Sequence, residues 1–104
     1  MKQVDESSDG KQIDVASGDT LEVRLQENRT TGHKWILESE GGAVCSQVSD
    51  AFEPGDAVGQ PGTHVWVFRA EKQGSADITL AYRRPWEEKQ TPVRTFTLHV
   101  RVSA

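Results

Sequence analysis

The residue types that most often carry catalysis are scarce in this chain. It has one cysteine, Cys45, and three histidines, His33, His64 and His99. Cys45 lacks the sequence context of a catalytic thiol and falls in a predicted strand, so we expect a buried structural thiol. The histidines are not spaced like the ligands of a metal site, and no acid–base pair stands out. The sequence therefore predicts no enzyme activity, no metal and no cofactor.

Residues suited to binding a partner are more evident than catalytic residues, above all Trp86. This tryptophan follows Arg84-Pro85 and precedes the charged run Glu87-Glu88-Lys89, where a core position is difficult to build. Indole rings at the surface are enriched in binding hot spots, so Trp86 is a candidate anchor for a partner. The alternative is that Trp86 folds back as a lid over the edge of the core. Trp35 and Trp66 lie in apolar runs and are predicted core residues.

Two other segments have the residues of constrained loops. The first is Asn28-Arg29-Thr30-Thr31-Gly32-His33-Lys34, in which Gly32 permits a positive φ and the two threonines restrict the backbone. The second is Gly59-Gln60-Pro61-Gly62, in which the glycines allow tight bends or the close approach of another backbone. Pro61 stiffens its middle. Each segment alone is typical of an ordinary turn, so neither predicts a function by itself.

The composition is that of one small soluble domain. The length of 104 residues predicts a single domain over residues 1–104, with residues 1–10 as a loose or edge segment. Twelve basic and sixteen acidic residues give a net charge of −4, which argues against nucleic acid or an anionic membrane as a partner. No apolar run could span a membrane, and the first ten residues lack the apolar core of a signal peptide. We expect a cytosolic protein, or a periplasmic or secreted one whose export signal has been removed.

Apolar and polar residues alternate with a period of two along most of the chain, which predicts about seven short strands. These strands cover residues 13–15, 21–25, 35–37, 44–48, 64–70, 78–82 and 96–102. Turn residues separate them at the spacing typical of an antiparallel β-sandwich. Each turn of such a sandwich carries the chain to the opposite end. The loops at residues 27–34, 56–63 and 84–92 should therefore share one end.

Together the three loops resemble the chagasin family, whose members are protein inhibitors of papain-like cysteine peptidases. The family's first-loop pattern, Asn-Pro-Thr-Thr-Gly-aromatic with a tryptophan soon after, is similar to residues 28–35. Its glycine-rich second loop, followed by a Trp-x-Phe strand, is similar to Gly59-Gln60-Pro61-Gly62 with Trp66 and Phe68. Its Arg-Pro-Trp third loop is matched by Arg84-Pro85-Trp86. The three motifs occur in the family's order over most of the chain.

The resemblance implies a fold and a function. The fold would be an immunoglobulin-like antiparallel β-sandwich without a disulfide, in keeping with the single Cys45. The function would be tight, reversible inhibition of a papain- or cathepsin-type cysteine peptidase by a monomer. Family members insert three loops into the active-site cleft, and the corresponding loops here are residues 28–35, 59–63 and 83–88.

The resemblance also implies roles for individual residues. Thr30, Thr31 and Gly32 would lie over the catalytic cysteine of the peptidase, with His33 beside them. The second loop would contact the non-primed side of the cleft, and the third loop would contact the primed side. The implied peptidase-binding residues are Asn28, Thr30, Thr31, Gly32, His33, Gly59, Gly62, Arg84, Pro85 and Trp86.

The sequence departs from the family pattern at three places. Arg29 stands where the family has proline, His33 stands where an aromatic residue is usual, and Gln60-Pro61 separates the glycines of the second loop. We expect these differences to tune affinity and target range rather than to remove inhibition. A second interpretation also fits the residues. In it, the chain is a non-inhibitory immunoglobulin-like binding module that uses an exposed Trp86 to bind a glycan or a protein surface.

Overall fold

The chain forms two four-stranded sheets in the computed structural model, which describes residues 2–28, 32–40, 42, 44–55, 61–84, 86 and 92–103. The strands are β1 (Lys2–Val4), β2 (Gln12–Ala16), β3 (Thr20–Glu27), β4 (Lys34–Glu40), β5 (Cys45–Glu53), β6 (Gly62–Ala70), β7 (Gly74–Arg83) and β8 (Arg94–Ser103). One sheet has the order β1-β3-β6-β5 and the other β2-β8-β7-β4. The predicted all-β sandwich is confirmed. No helix among the described residues is long and apolar enough to cross a membrane.

The core lies between the two sheets and follows from the alternation in the sequence. In β3 the residues Leu21, Val23 and Leu25 are buried while the polar residues between them are not, so the strand presents one apolar face. Trp35 in β4 and Trp66 in β6 are buried in the same cluster, as predicted. The inner strand β6 is buried along most of its length, because its sheet places it between β3 and β5.

Two features of the sheets differ from the sequence prediction. The described residues contain eight strands rather than about seven, because Lys2–Val4 adds β1 at the edge of the first sheet. The two N-terminal strands also pair in parallel, β1 with β3 and β2 with β8. Successive strands β1, β2 and β3 alternate between the sheets, so no hairpin forces them to be antiparallel. With only Val4 buried, β1 has no alternation that the sequence could reveal.

The strand predicted at residues 44–48 is longer in the structure. β5 runs from Cys45 to Glu53, with a break in its pairing to β6 between Gln47 and Ser49. Most side chains after Cys45 are exposed because β5 lies at the edge of its sheet. A bulge in an edge strand interrupts the apolar–polar alternation, so the pattern ends before the strand does.

Candidate functional site

The strand ends that flank the three loops lie at one end of the sandwich. In the first sheet, the end of β3 pairs with the start of β6 at Glu27 and Gly62, and Glu53 at the end of β5 pairs with Thr63. In the second sheet, Lys34 at the start of β4 pairs with Arg83 at the end of β7. The segment between β3 and β4 joins the two sheets at this same end. The prediction that the loops share one end is confirmed for these flanking residues.

Trp86 lies against the first loop at Gly32. A Cβ atom at Gly32 would be only 2.7 Å from Cη2 of the Trp86 indole, and the Gly32 φ of +78° is the positive value that the sequence predicted. Trp86 is 70% exposed, so it does not form a lid over the core. A large aromatic ring therefore stands in solvent and is supported by the backbone of the neighbouring loop.

The base of the first loop rests on Tyr82 of β7. The Tyr82 hydroxyl accepts a hydrogen bond of 2.9 Å from the Asn28 backbone N–H. The His33 ring stacks on the Tyr82 ring with 5.5 Å between centroids and 26° between planes. Asn28 and His33, two of the predicted binding residues, are therefore held from opposite ends of the loop by one side chain. Sequence reasoning missed Tyr82, because its alternation with Ala81 and Arg83 identified it only as a strand residue.

Pro61, in the second loop, lies at the same end of the sandwich. This proline lines an open depression of about 220 Å³ together with Gln26, Asn28, Tyr82 and Arg94. These residues come from the bases of all three loops, so the depression marks where the loops meet. Its lining is mainly polar side chains and backbone, which suits hydrogen bonding more than the burial of a large apolar group.

Gly62 has a different position from the one predicted. It is buried in the first position of β6, not in the loop. A Cβ atom at Gly62 would collide with the Phe52 ring and come within 2.5 Å of the Glu53 carbonyl oxygen. Glycine is therefore required for the close approach of β5 to β6, and Gly62 does not form part of the exposed surface.

The remaining predicted site residues divide into two groups. Arg84 follows β7 and is half-buried at the start of the third loop. Thr30, Thr31, Gly59 and Pro85 lie outside the described residues. The predicted loop boundaries are too wide, because six of the residues within them belong to strands: Glu27, Lys34, Trp35, Gly62, Thr63 and Arg83.

The side chains that could carry catalysis are occupied in structural contacts. Cys45 is buried at the start of β5, and burial raises the pKa of its thiol, with a smaller contribution from the negative charge of Glu71. His99 pairs with Asp77, with 2.7 Å between Nδ1 and the carboxylate oxygen. Among the described residues, no group of three or more His, Cys, Asp or Glu side chains could hold a metal ion.

We expect Cys45 of the folded protein to be unreactive towards a thiol reagent such as dithiobis(nitrobenzoate) at neutral pH. Burial limits access and disfavours the thiolate, which is the nucleophilic form. Absorbance should report one thiol in denaturant and almost none under native conditions. Rapid labelling of the native protein would contradict the buried position of Cys45.

Comparisons with known proteins show which sequences and structures this chain resembles. The sequence model of the chagasin family of peptidase inhibitors, I42, matches residues 14–100. Amoebiasin-1 of Entamoeba histolytica is 34% identical over 99 residues, which cover 93% of this chain and 95% of amoebiasin-1. The crystal structure of EhICP2, a cysteine protease inhibitor of Entamoeba histolytica, superposes with a TM-score of 0.86 at 24% identity and covers 98% of this chain and 94% of EhICP2. PbICP-C, solved in complex with falcipain-2, superposes with a TM-score of 0.74 at 19% identity, covering 99% of this chain and 100% of that one.

Proposed function

Because this chain belongs to the chagasin family of peptidase inhibitors, we propose that it inhibits papain-like cysteine peptidases by inserting its three loops into their active-site cleft. The observation that carries the proposal is the packing of the exposed Trp86 ring against Gly32 at the end where the loops meet. This packing joins the first and third loops into one projecting surface. Membership in an inhibitor family also confirms the prediction that the chain is not an enzyme.

Each loop has its own part in this proposal. Thr30, Thr31 and Gly32 cover the catalytic cysteine of the peptidase, and the second loop, with Gly59, contacts the non-primed side. Arg84, Pro85 and Trp86 contact the primed side. The half-buried position of His33 on Tyr82 supports a contact beside the first loop, and the burial of Gly62 gives that glycine a structural part only.

The chemistry of the target fits an inhibitor of this shape. A papain-like peptidase has a thiolate and an imidazolium side by side in an open groove. A compact turn fills such a groove without presenting a carbonyl group in the geometry that attack requires, so the inhibitor binds and is not cleaved. Loops that two sheets already hold in place lose little conformational entropy on binding, which favours high affinity.

The proposal is tested by a fluorogenic peptide assay with papain and a cathepsin. We expect inhibition constants in the nanomolar range, with activity recovered on dilution because no covalent bond forms. Mass spectrometry after long incubation should show the inhibitor intact. The absence of inhibition at micromolar protein, with the fold verified by circular dichroism, would refute the proposal.

A further inference from the structure

Glu27 is a charged residue at a position where the strand pattern calls for an apolar one. The inward row of β3 is Leu21, Val23, Leu25 and Glu27, and the Glu27 side chain is completely buried at the end of this row. Removing a carboxylate from water is costly unless hydrogen bonds and charges replace the water. Packing of the core would be satisfied by another aliphatic side chain at this position. The presence of a carboxylate must therefore be explained by its polar contacts.

Glu27 joins the two sheets directly beneath the first loop. Its Oε1 atom accepts a hydrogen bond of 2.7 Å from the backbone N–H of Trp35, in β4 of the opposite sheet. Both carboxylate oxygens lie 3.3 Å from Nδ1 of His64, in the neighbouring strand β6. Residues 27 and 35 flank the loop on either side. The carboxylate therefore fixes the distance between the chain entering the loop and the chain leaving it.

Other side chains hold the same region in register. The Trp35 indole Nε1 donates a hydrogen bond of 2.8 Å to the Gln26 carbonyl, and the Glu6 carboxylate accepts one from the Gln26 N–H. His64 is stacked on Trp66, with 3.9 Å between ring centroids and 3° between planes, so its ring has a fixed orientation towards Glu27. The two peptide units that flank Gln26, just before the first loop, are therefore each held by a hydrogen bond with a side chain.

We propose that Glu27 is a positioning residue for peptidase binding: its buried carboxylate sets the spacing of the two ends of the first loop and so the position of Gly32 under Trp86. Glu27 does not touch the peptidase, because it lies inside the sandwich. It acts through Trp35 and His64. This inference rests on the proposed inhibition, in which the first loop covers the catalytic cysteine.

The test compares inhibition constants of variants at a temperature where each is fully folded. Glu27→Ala should raise the inhibition constant against papain about tenfold, as expected for the loss of one charge-assisted hydrogen bond. Glu27→Gln keeps an oxygen that can accept from the Trp35 N–H, and it should stay within about threefold of the parent protein. This rescue separates positioning from simple destabilisation.

Val102→Ala is the matched control. Val102 is buried in β8 at the other end of the sandwich, near Gly74 and Val15. Its truncation should lower the free energy of unfolding and leave the inhibition constant unchanged. If Glu27→Ala does not fold, Glu27→Asp tests the positioning role instead. This variant keeps the charge, but its side chain is one methylene group too short to reach the Trp35 N–H. We expect about a fivefold rise for that variant.

The possible results distinguish the positioning role of Glu27 from the proposed inhibition on which it rests. A parent protein that inhibits, together with folded Glu27→Ala or Glu27→Asp variants within twofold of it, would overturn the positioning role alone. An equal rise for Val102→Ala would also overturn it, since the effect would then follow stability. A folded parent protein without inhibition would overturn the proposed function and the inference with it.

Discussion

Replacing Trp86 with alanine should raise the inhibition constant against papain by about 30- to 900-fold, which corresponds to a loss of about 2–4 kcal/mol at a binding hot spot. The indole is 70% exposed in the free protein, so its surface is available for burial in a complex. Because Gly32 already supports the ring, little side-chain freedom remains to be lost on binding. The exposed ring contributes little to the core, so the free energy of unfolding should hardly change. Enzyme inhibition and chemical denaturation measure the two quantities separately.

Val48→Ala provides the control for the loss of exposed apolar surface. Val48 is 58% exposed in the edge strand β5, five residues before the end of that strand. Its truncation should leave both inhibition and stability unchanged. A Trp86→Ala variant within threefold of the parent protein would contradict the central place of Trp86 in the interface.

The general form of this molecule could be predicted from the sequence because it depends on local pattern. Alternation in residues 21–25 and 96–102 identified strands and their buried faces. The apolar runs around Trp35 and Trp66 identified the core. The reversal of direction at each turn then placed the three loops together, without any contact being known. Gly32 was identified because few residues other than glycine adopt the φ that its turn requires.

The contacts that support the loops could not be predicted, because they join residues distant in the sequence. Alternation assigns Tyr82 to a strand, and the sequence placed Glu27 in the first loop, at the end of the strand predicted at residues 21–25. Neither assignment says which polar atom of another strand the side chain meets. Glu27 meets a backbone N–H of the opposite sheet, and Tyr82 meets the backbone 54 residues earlier in the chain. Gly62 was placed in a loop for a related reason. In the sequence, a glycine required for close packing against Phe52 cannot be distinguished from a glycine required for a bend.

Replacing Gly32 with alanine should raise the inhibition constant by about 10- to 100-fold, a large part of the Trp86 contribution. Two physical effects act at this position. An alanine at φ of +78° is strained, which should lower the free energy of unfolding by about 1–2 kcal/mol. The new Cβ atom would also lie 2.7 Å from the Trp86 ring, so the indole must move away from the loop. The loss of stability should leave the inhibition constant unchanged, whereas the displaced indole and the altered fit of the first loop over the catalytic cysteine should both raise it.

Gly18→Ala separates these two effects. Gly18 has a similar φ of +91°, nothing lies within 4 Å of its added Cβ, and its N–H bonds to Ala70 at the opposite end of the sandwich. This variant should lose similar stability and inhibit normally. The double variant Gly32→Ala with Trp86→Ala should lose less affinity than the sum of the two single losses, because the ring that Gly32 positions is already absent. Fully additive losses would mean that Gly32 acts on the peptidase independently of Trp86, and the first and third loops would then not bind as one surface.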